Sequence, residues 1–292
     1  MWEQGDAGSV ANELREVIPT FESNDNQSNE VDVSNWSAMT QMSFAHNWWE
    51  AVVIAGIAVA VIGGLEFFLR WQNVPKYTFP LPSQVGSALW NKWDLFQPHL
   101  IATLKVLLTG YAIGAVVGIV LAAVVTQFPF AEKVITPYIL LLVTTPMIAL
   151  VPLLVQKMGF GMAPRVIAVA LAVGPMVMIN SATGFRRTDL AKIALARSYG
   201  ASTLQIFTKV RFPLALPMII VGLMVGAIFG MLTAVGAEIV GSSEGLGNRL
   251  MFYSSRIQMD NFWAIIVILA TMGILIYVFF YWVGKRWASW QA

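Results

Sequence analysis

Residues 194–217 read ALARSYGASTLQIFTKVRFPLALP, a partly polar stretch that leads into an apolar segment of membrane-spanning length. It belongs to a longer connection, Phe185–Pro213, which carries six basic residues and one acid. Gly200 permits a sharp turn without steric cost, and Pro213 and Pro217 stop the preceding structure and favour the start of the next helix. The stretch therefore predicts a short, rigid connection between two membrane helices.

Six apolar segments approach the length of ~20 residues that a helix needs to cross a bilayer. Only 12% of all residues are charged, about half the usual fraction in a soluble domain. We therefore expect an all-α membrane protein in which residues 48–292 form a six-helix transmembrane domain. The segments are Ala51–Leu69, Val106–Val125, Val134–Val155, Val166–Thr183, Leu214–Ala237 and Phe262–Gly284.

Residues 1–47 have a different composition, with eight acids and one base, Arg15. The part rich in Asn, Ser, Asp and Glu, residues 23–35, cannot bury enough apolar area to offset its ordering entropy, so we expect a disordered, solvated tail. The alternative is a short helix over Val10–Ile18 that docks on a partner. These residues lack the basic stretch followed by a short apolar core that marks a signal peptide, so we do not interpret them as one.

The overall charge and the cysteine count exclude several classes of function. A net charge of +2 gives no reason to expect a nucleic-acid partner. Cysteine is absent, which excludes disulfides and thiolate metal sites. The two histidines, His46 and His99, lie far apart and outside the apolar segments, which disfavours an enzyme with a histidine-based metal or acid–base site.

The distribution of basic residues predicts the orientation. The six bases of Phe185–Pro213 mark the cytoplasmic side, and Lys133, Lys285 and Arg286 fall on the same side if there are six spans. Both termini are then cytoplasmic.

Glycines and prolines suggest how the helices pack. Glycines recur every four residues in the second and fifth segments, which places each set on one helix face and predicts close helix contact. The alternative is that glycine is simply common in membrane helices. The glycines are Gly110, Gly114 and Gly118, and Gly222, Gly226 and Gly230.

The third segment contains Pro137, Pro146 and Pro152, each of which removes a backbone donor and tends to kink a helix. We expect either a kinked helix that lines a pathway or a bent packing helix whose hydroxyls are satisfied. The candidate pathway residues here are Thr144, Thr145, Pro146 and Gln156.

The spacing around Gly200 resembles the EAA motif of ABC importer permeases. In that motif a glycine lies four residues after a Glu-Ala-Ala triplet, and a hydrophobic-x-hydrophobic-Pro run follows. The sequence departs from the motif at two positions: Ala194 occupies the position of the usual Glu, and Leu195 replaces the first Ala. The resemblance implies a coupling helix that docks on an ATPase subunit. The residues it assigns to this contact are Ala196, Arg197, Tyr199, Gly200, Ala201, Ser202, Leu204, Gln205 and Pro213.

Further matches extend over roughly residues 77–290 and are similar to the nitrate, sulfonate and taurine branch of these permeases. They are Phe79–Val85, Thr103–Gly118, Gly159–Gly161, Ala237–Glu238 and Gly245–Gly247. The resemblance implies a type I (MetI-like) permease in the bacterial inner membrane, paired with a second copy, two ATPase subunits and an external solute-binding protein. No cofactor is expected on this chain, because it lacks a P-loop sequence and ATP and Mg would bind the partner ATPase.

The substrate implied by the resemblance is a small anion such as nitrate, bicarbonate, a sulfonate or taurine. The alternatives are a heterocycle, such as a thiamine-pyrimidine precursor or riboflavin, and an aromatic carboxylate. No cluster of Arg or Lys within the apolar segments marks an oxyanion site. Glu238 matches an Ala-Glu pair of the branch and is a candidate outer gate, paired with Arg249 or Arg256; the alternative is a solvated acid at a helix end.

An ion-coupled secondary transporter is the competing class of function. Such a protein commonly places ionisable residues inside its spans. Here Glu66 and Glu238 lie near span ends, and no other residue qualifies. A neighbouring gene for a P-loop ATPase would favour the importer.

Overall fold

The computed structural model describes residues 48–287, and all regular structure in that range is helical. The chain divides after residue 58 into two units, the first of which contains, among the described residues, only the start of α1. The helices are α1 (Trp48–Trp71), α2 (Pro82–Asn91), α3 (Trp93–Gln127), α4 (Pro129–Thr144), α5 (Met147–Met158), α6 (Met162–Arg186), α7 (Leu190–Ser198), α8 (Thr203–Ile206), α9 (Phe212–Gly241), α10 (Leu246–Ser255) and α11 (Met259–Trp287). The predicted disordered tail, residues 1–47, lies outside the described residues.

Five helices of the described range are long and apolar enough to cross a membrane, and the bent pair α4–α5 would make a sixth. The predicted all-α membrane fold is therefore confirmed. The second span begins earlier than predicted, because α3 has 35 residues and starts at Trp93. At 1.5 Å per residue α3 is about 52 Å long, so it extends well beyond a hydrocarbon core of roughly 30 Å.

The third predicted span is broken rather than only kinked. Its two halves, α4 and α5, meet at an angle of 98°. Thr145 has an extended backbone, with φ −82° and ψ 125°, because the following Pro146 disfavours the helical conformation at the residue before it. Pro137 and Pro152, in contrast, lie inside continuous helices.

Helix α6 packs between the two glycine faces predicted from the sequence. A Cβ on Gly114 would lie 2.7 Å from the carbonyl oxygen of Ala170, and one on Gly118 would lie 2.6 Å from that of Gly174. The glycines of α9 pack on α6 as well: a Cβ on Gly226 would lie 2.9 Å from Val177. Close packing is thus confirmed, and α6 is the helix that both faces share.

Polar contacts fix the ends of several helices. Glu66 of α1 accepts hydrogen bonds from the backbone N–H of Ser83 (3.1 Å) and from its hydroxyl (2.9 Å), and so caps α2. Arg186, at the end of α6, forms an ion pair of 2.8 Å with Glu132 in the first turn of α4. The start of α4 and the 185–213 segment therefore lie at the same end of the domain.

Candidate functional sites

The coupling segment, residues 185–213, is mostly helical. Asp189 caps α7 by accepting a hydrogen bond of 2.8 Å from the backbone N–H of Ala191. Helix α7 ends at Ser198, and Gly200, two residues further on, has a φ of +79°. The N–H groups of Gly200 and Ala201 donate to the carbonyls of Arg197 and Ala196 at 2.9 and 3.1 Å. This is a Schellman cap, in which glycine adopts the left-handed conformation at least cost.

Ser202 starts the next helix with a reciprocal capping box. Its hydroxyl accepts from the N–H of Gln205 at 3.3 Å, and the Gln205 side chain accepts from the N–H of Ser202 at 2.8 Å. A single π turn, Phe207–Arg211, then joins α8 to α9. Residues 203–241 thus form one helical span, so α8 continues into the membrane helix without a break.

Buried aromatic contacts hold the coupling segment on the membrane helices. Phe185, at the end of α6, is buried and packs on Phe207 with ring centroids 5.0 Å apart and on Phe212 at 6.3 Å. Ile193 of α7 and Ile206 of α8 are also buried. The segment therefore has a rigid inner face.

Its outer face is apolar and exposed. Tyr199 is 84% exposed and Leu204 is 71% exposed, and Leu190 and Leu195 of α7 are exposed as well. We call these four residues the coupling surface. Isolated exposed apolar residues are common, but several on one rigid capped segment indicate a surface that binds a partner.

The structure brings the predicted coupling residues together at this end, in α7, the Gly200 turn, α8 and the first turn of α9. Leu190 and Leu195 were not among the predicted contacts, although apolar residues inside a basic loop are a signal that could have indicated them. The predicted residues are Ala196, Arg197, Tyr199, Gly200, Ala201, Ser202, Leu204, Gln205 and Pro213.

The candidate pathway residues lie at the break between α4 and α5 and near the end of α5. The hydroxyls of Thr144 and Thr145 donate to the carbonyl of Leu141, at 3.1 and 2.7 Å, so both are satisfied within their own helix. Gln156 is exposed and borders an open groove of about 490 Å³ with Phe160 and Val240 among its walls. Glu238 does not line this groove.

Glu238 is fully buried, which contradicts the alternative of a solvated acid at a helix end. Thr103 Oγ1 donates to Glu238 Oε2 at 2.9 Å, and the N–H of Gly247 donates to the same oxygen at 3.0 Å. The predicted pairing with Arg249 or Arg256 is wrong, because both arginines lie against the Phe252 ring instead. The reason is that Glu238 Oε2 instead accepts from α3 and from the first turn of α10, while the second carboxylate oxygen, Oε1, is buried without a hydrogen-bond partner.

Two glycines let the loop before α10 approach this carboxylate. Gly245 has a φ of +99°, and a Cβ there would lie 2.2 Å from the carboxyl carbon of Glu238. A Cβ on Gly247 would lie 2.1 Å from the carbonyl oxygen of Val235. Thr103 also accepts from the N–H of Leu246 at 2.9 Å. Sequence reasoning missed Thr103 as a partner of Glu238, because the two residues are far apart in the chain.

Comparison with known proteins decides the family. Residues 114–289 match the family model described as binding-protein-dependent transport system inner membrane component. The chain belongs to this family. The permease, as we now call it, is a transport component of the ABC importer class and not an enzyme.

Several relatives support the same assignment. The permease is 31% identical to a probable ABC transporter permease protein of Haemophilus influenzae, over 74% of this chain and 91% of the relative. It is 30% identical to the formylaminopyrimidine transport permease protein ThiX of Halalkalibacterium halodurans, over 68% of this chain and 80% of the relative. It is 29% identical to the putative aliphatic sulfonates transport permease protein SsuC of Escherichia coli, over 73% of this chain and 81% of the relative.

The fold is shared with solved ABC transporters. A chain in the crystal structure of an amino acid ABC transporter with histidines aligns with a TM-score of 0.59 and 20% identity, covering 68% of the permease and 97% of that chain. The type I, MetI-like architecture predicted from the sequence is therefore confirmed.

Proposed function

We propose that the permease forms the translocation pathway of an importer as a homodimer, with two ATPase subunits and an external solute-binding protein. The observation that carries the proposal is the exposed coupling surface on a capped, internally packed segment. A soluble partner must cover Tyr199 and Leu204 to remove this apolar area from water. Arg197 and Lys209 flank the surface, where charges tune association more than affinity.

The proposed orientation places the coupling segment and both termini in the cytoplasm of a bacterial inner membrane. The six bases of residues 185–213 support it. So does the Arg186–Glu132 ion pair, since it puts the connection from α3 to α4, with Lys133, at the same end. The buried Glu238 cluster and α10 then lie towards the outside.

The proposed substrate is a small organic anion of the sulfonate type. Its support is the similarity to the aliphatic sulfonates permease of Escherichia coli and to the taurine transport system permease protein TauC of the same organism, 28% identical over 61% of this chain. A pyrimidine-like heterocycle is the second candidate, supported by the similarity to the formylaminopyrimidine permease. Uptake of a labelled alkyl sulfonate and of a labelled aminopyrimidine by proteoliposomes would separate the two.

The decisive experiment reconstitutes the permease with its ATPase and binding protein. A cysteine introduced at Ala194, which is exposed and caps no helix, should crosslink to the ATPase and should react with an impermeant thiol reagent only from the cytoplasmic side. A cysteine at the exposed Asn91, in contrast, should react from outside. The native chain has no cysteine, so the label is specific. External labelling of Ala194→Cys together with no ATPase crosslink would refute both the orientation and the coupling contact.

A further inference from the structure

A pocket of about 440 Å³ opens at the end of the domain opposite to the coupling segment. It lies where the start of α3 meets α10 and the start of α11. Its polar lining includes Lys92, His99 and Arg249, and its apolar walls are Leu95, Phe252 and Tyr253. The basic residues come from outside the apolar segments, which is why no cation cluster was evident in the spans.

The pocket contains more hydrogen-bond donors than acceptors at His99. Arg249 Nε donates to His99 Nε2 at 2.7 Å, and the N–H of Gly245 lies 3.2 Å from His99 Nδ1. A neutral imidazole has only one acceptor nitrogen, and its other nitrogen carries a hydrogen. In one of these two contacts, therefore, the donating N–H faces the N–H of the imidazole. The Gly245 or Arg249 N–H in that contact has no protein acceptor.

The charge of the pocket is positive on balance. Arg249 and Arg256 both lie over the Phe252 ring, with 4.9 and 4.1 Å between each guanidinium carbon and the ring centroid. Lys92 is held by Asp260 at 3.1 Å and by the side-chain oxygen of Asn261 at 2.7 Å. The opposing carboxylates are Asp260 and Glu244, the latter within electrostatic range of His99. The lining itself therefore carries two cations, Lys92 and Arg249, and no acid.

We infer that this pocket binds one small organic anion, with an oxyanion head at Arg249 and Lys92 and a short apolar tail against Leu95 and Phe252. A charge-assisted contact with a guanidinium is the strong interaction that such a head offers, and the apolar walls suit a ligand larger than an inorganic ion. The choice of a sulfonate-type ligand rests on the proposed function, whereas the location of the site rests on the lining of the pocket alone.

The site lies outside the hydrocarbon region. Helix α3 is longer than a bilayer core requires, and its first turns contain the polar residues Asp94, Gln97 and His99, so we place these turns outside the hydrocarbon core. A solute can therefore reach the pocket from water without crossing lipid.

The test is a binding measurement on the full-length permease, purified with its ATPase subunits in nanodiscs of zwitterionic lipid, without ATP or binding protein. The probe is 1-butanesulfonate, followed by ligand-observed NMR at 0.15 M salt, and its uncharged match is butane-1-sulfonamide. We expect the sulfonate to bind and the sulfonamide to bind at least roughly tenfold more weakly, the loss expected for one charge-assisted hydrogen bond. Equal binding of the two would overturn the inference.

Variants locate the site. Arg249→Gln should weaken binding at least roughly tenfold, whereas Lys157→Gln, an exposed lysine on α5, should not change it. Gln258→Glu provides an independent check, because Glu is nearly isosteric and can still accept from Asn261 as Gln258 does at 2.9 Å, yet adds a negative charge to the lining. It should abolish sulfonate binding, and unchanged binding in this variant would contradict the site.

An anionic lipid headgroup also carries an oxyanion and is the competing ligand for this pocket. Adding phosphatidylglycerol to the nanodiscs should leave sulfonate binding in place, and its loss would assign the pocket to a lipid and overturn the inference. Because binding is measured without transport, a failure here is distinct from a failure of the proteoliposome assay that tests the proposed substrate.

Discussion

Thr103 on α3 donates a hydrogen bond of 2.9 Å to the buried carboxylate of Glu238 on α9, 135 residues further along the chain. The same hydroxyl accepts from the N–H of Leu246 at the start of α10. One threonine thus ties two membrane helices to the loop that follows the second. Buried polar groups of this kind are costly to leave unpaired, so these contacts fix the first part of α3, the end of α9 and the start of α10 relative to each other.

Thr103→Val should destabilise the permease by about 2 kcal/mol or more, because the N–H of Leu246 loses its acceptor and Glu238 loses a donor. Thr103→Ser, which keeps the hydroxyl and loses one methyl group, should cost only about 1 kcal/mol. Thermal unfolding in detergent would compare the two. Equal losses for Val and Ser would show that packing of the methyl group, rather than the hydrogen bonds, matters at this position.

Glu238→Gln should insert, fold and retain transport, because the amide oxygen can still accept from the N–H of Gly247. Glu238→Ala should lose both hydrogen bonds and expose the loop of residues 242–245 to proteolysis. Transport and limited proteolysis of the reconstituted complex are the measurements. A correctly folded Gln variant without transport would instead support a gating role for the charge of the carboxylate.

Gly118→Ala should destabilise the domain by about 1–3 kcal/mol, the usual cost of overpacking, since its Cβ would lie 2.6 Å from a backbone oxygen of α6. Gly174→Ala is the matched control in the same interface. Its Cβ would lie 3.6 Å from the nearest atom, an ordinary contact, and alanine favours a helix over glycine. Monodispersity and thermal unfolding would distinguish the two, and equal stability would contradict the close approach of α3 and α6.

Gly200→Asp and Gly200→Asn should both insert normally, because no atom lies within 4 Å of the added Cβ and both residues tolerate a positive φ. Each adds a side chain where the ATPase is proposed to approach. We therefore expect poor assembly, or ATP hydrolysis without transport, in both. A stronger effect of Asp than of Asn would identify a negative or apolar surface on the partner.

Gly159→Asn is the control for this pair. Gly159 also has a positive φ, +80°, and open space around the added Cβ, but it ends α5 rather than α7. This variant should keep the ATPase subunits bound. Normal transport in Gly200→Asp would argue against a coupling contact at this turn.

Local patterns predicted the helices well, because the length of an apolar run and the spacing of the glycines depend only on residues that are close together in the sequence. The break at Thr145 was harder, since three prolines occur in one segment. Only Pro146 interrupts the helix, while Pro137 and Pro152 are accommodated within it. Which proline breaks a membrane helix depends on neighbours that can satisfy the freed backbone groups.

The sequence by itself determined the membrane class, the helical spans, the basic coupling segment and the turn at Gly200, because each depends on residues close together in the chain. Only the tertiary structure decided that α6 receives both glycine faces and that Glu238 binds Thr103 and Gly247 rather than an arginine. The tertiary structure also decided that Lys92, His99 and Arg249 share one pocket. The physical reason is that a buried polar group takes the partner that packing brings within hydrogen-bonding distance, and packing joins residues that the order of the chain keeps apart.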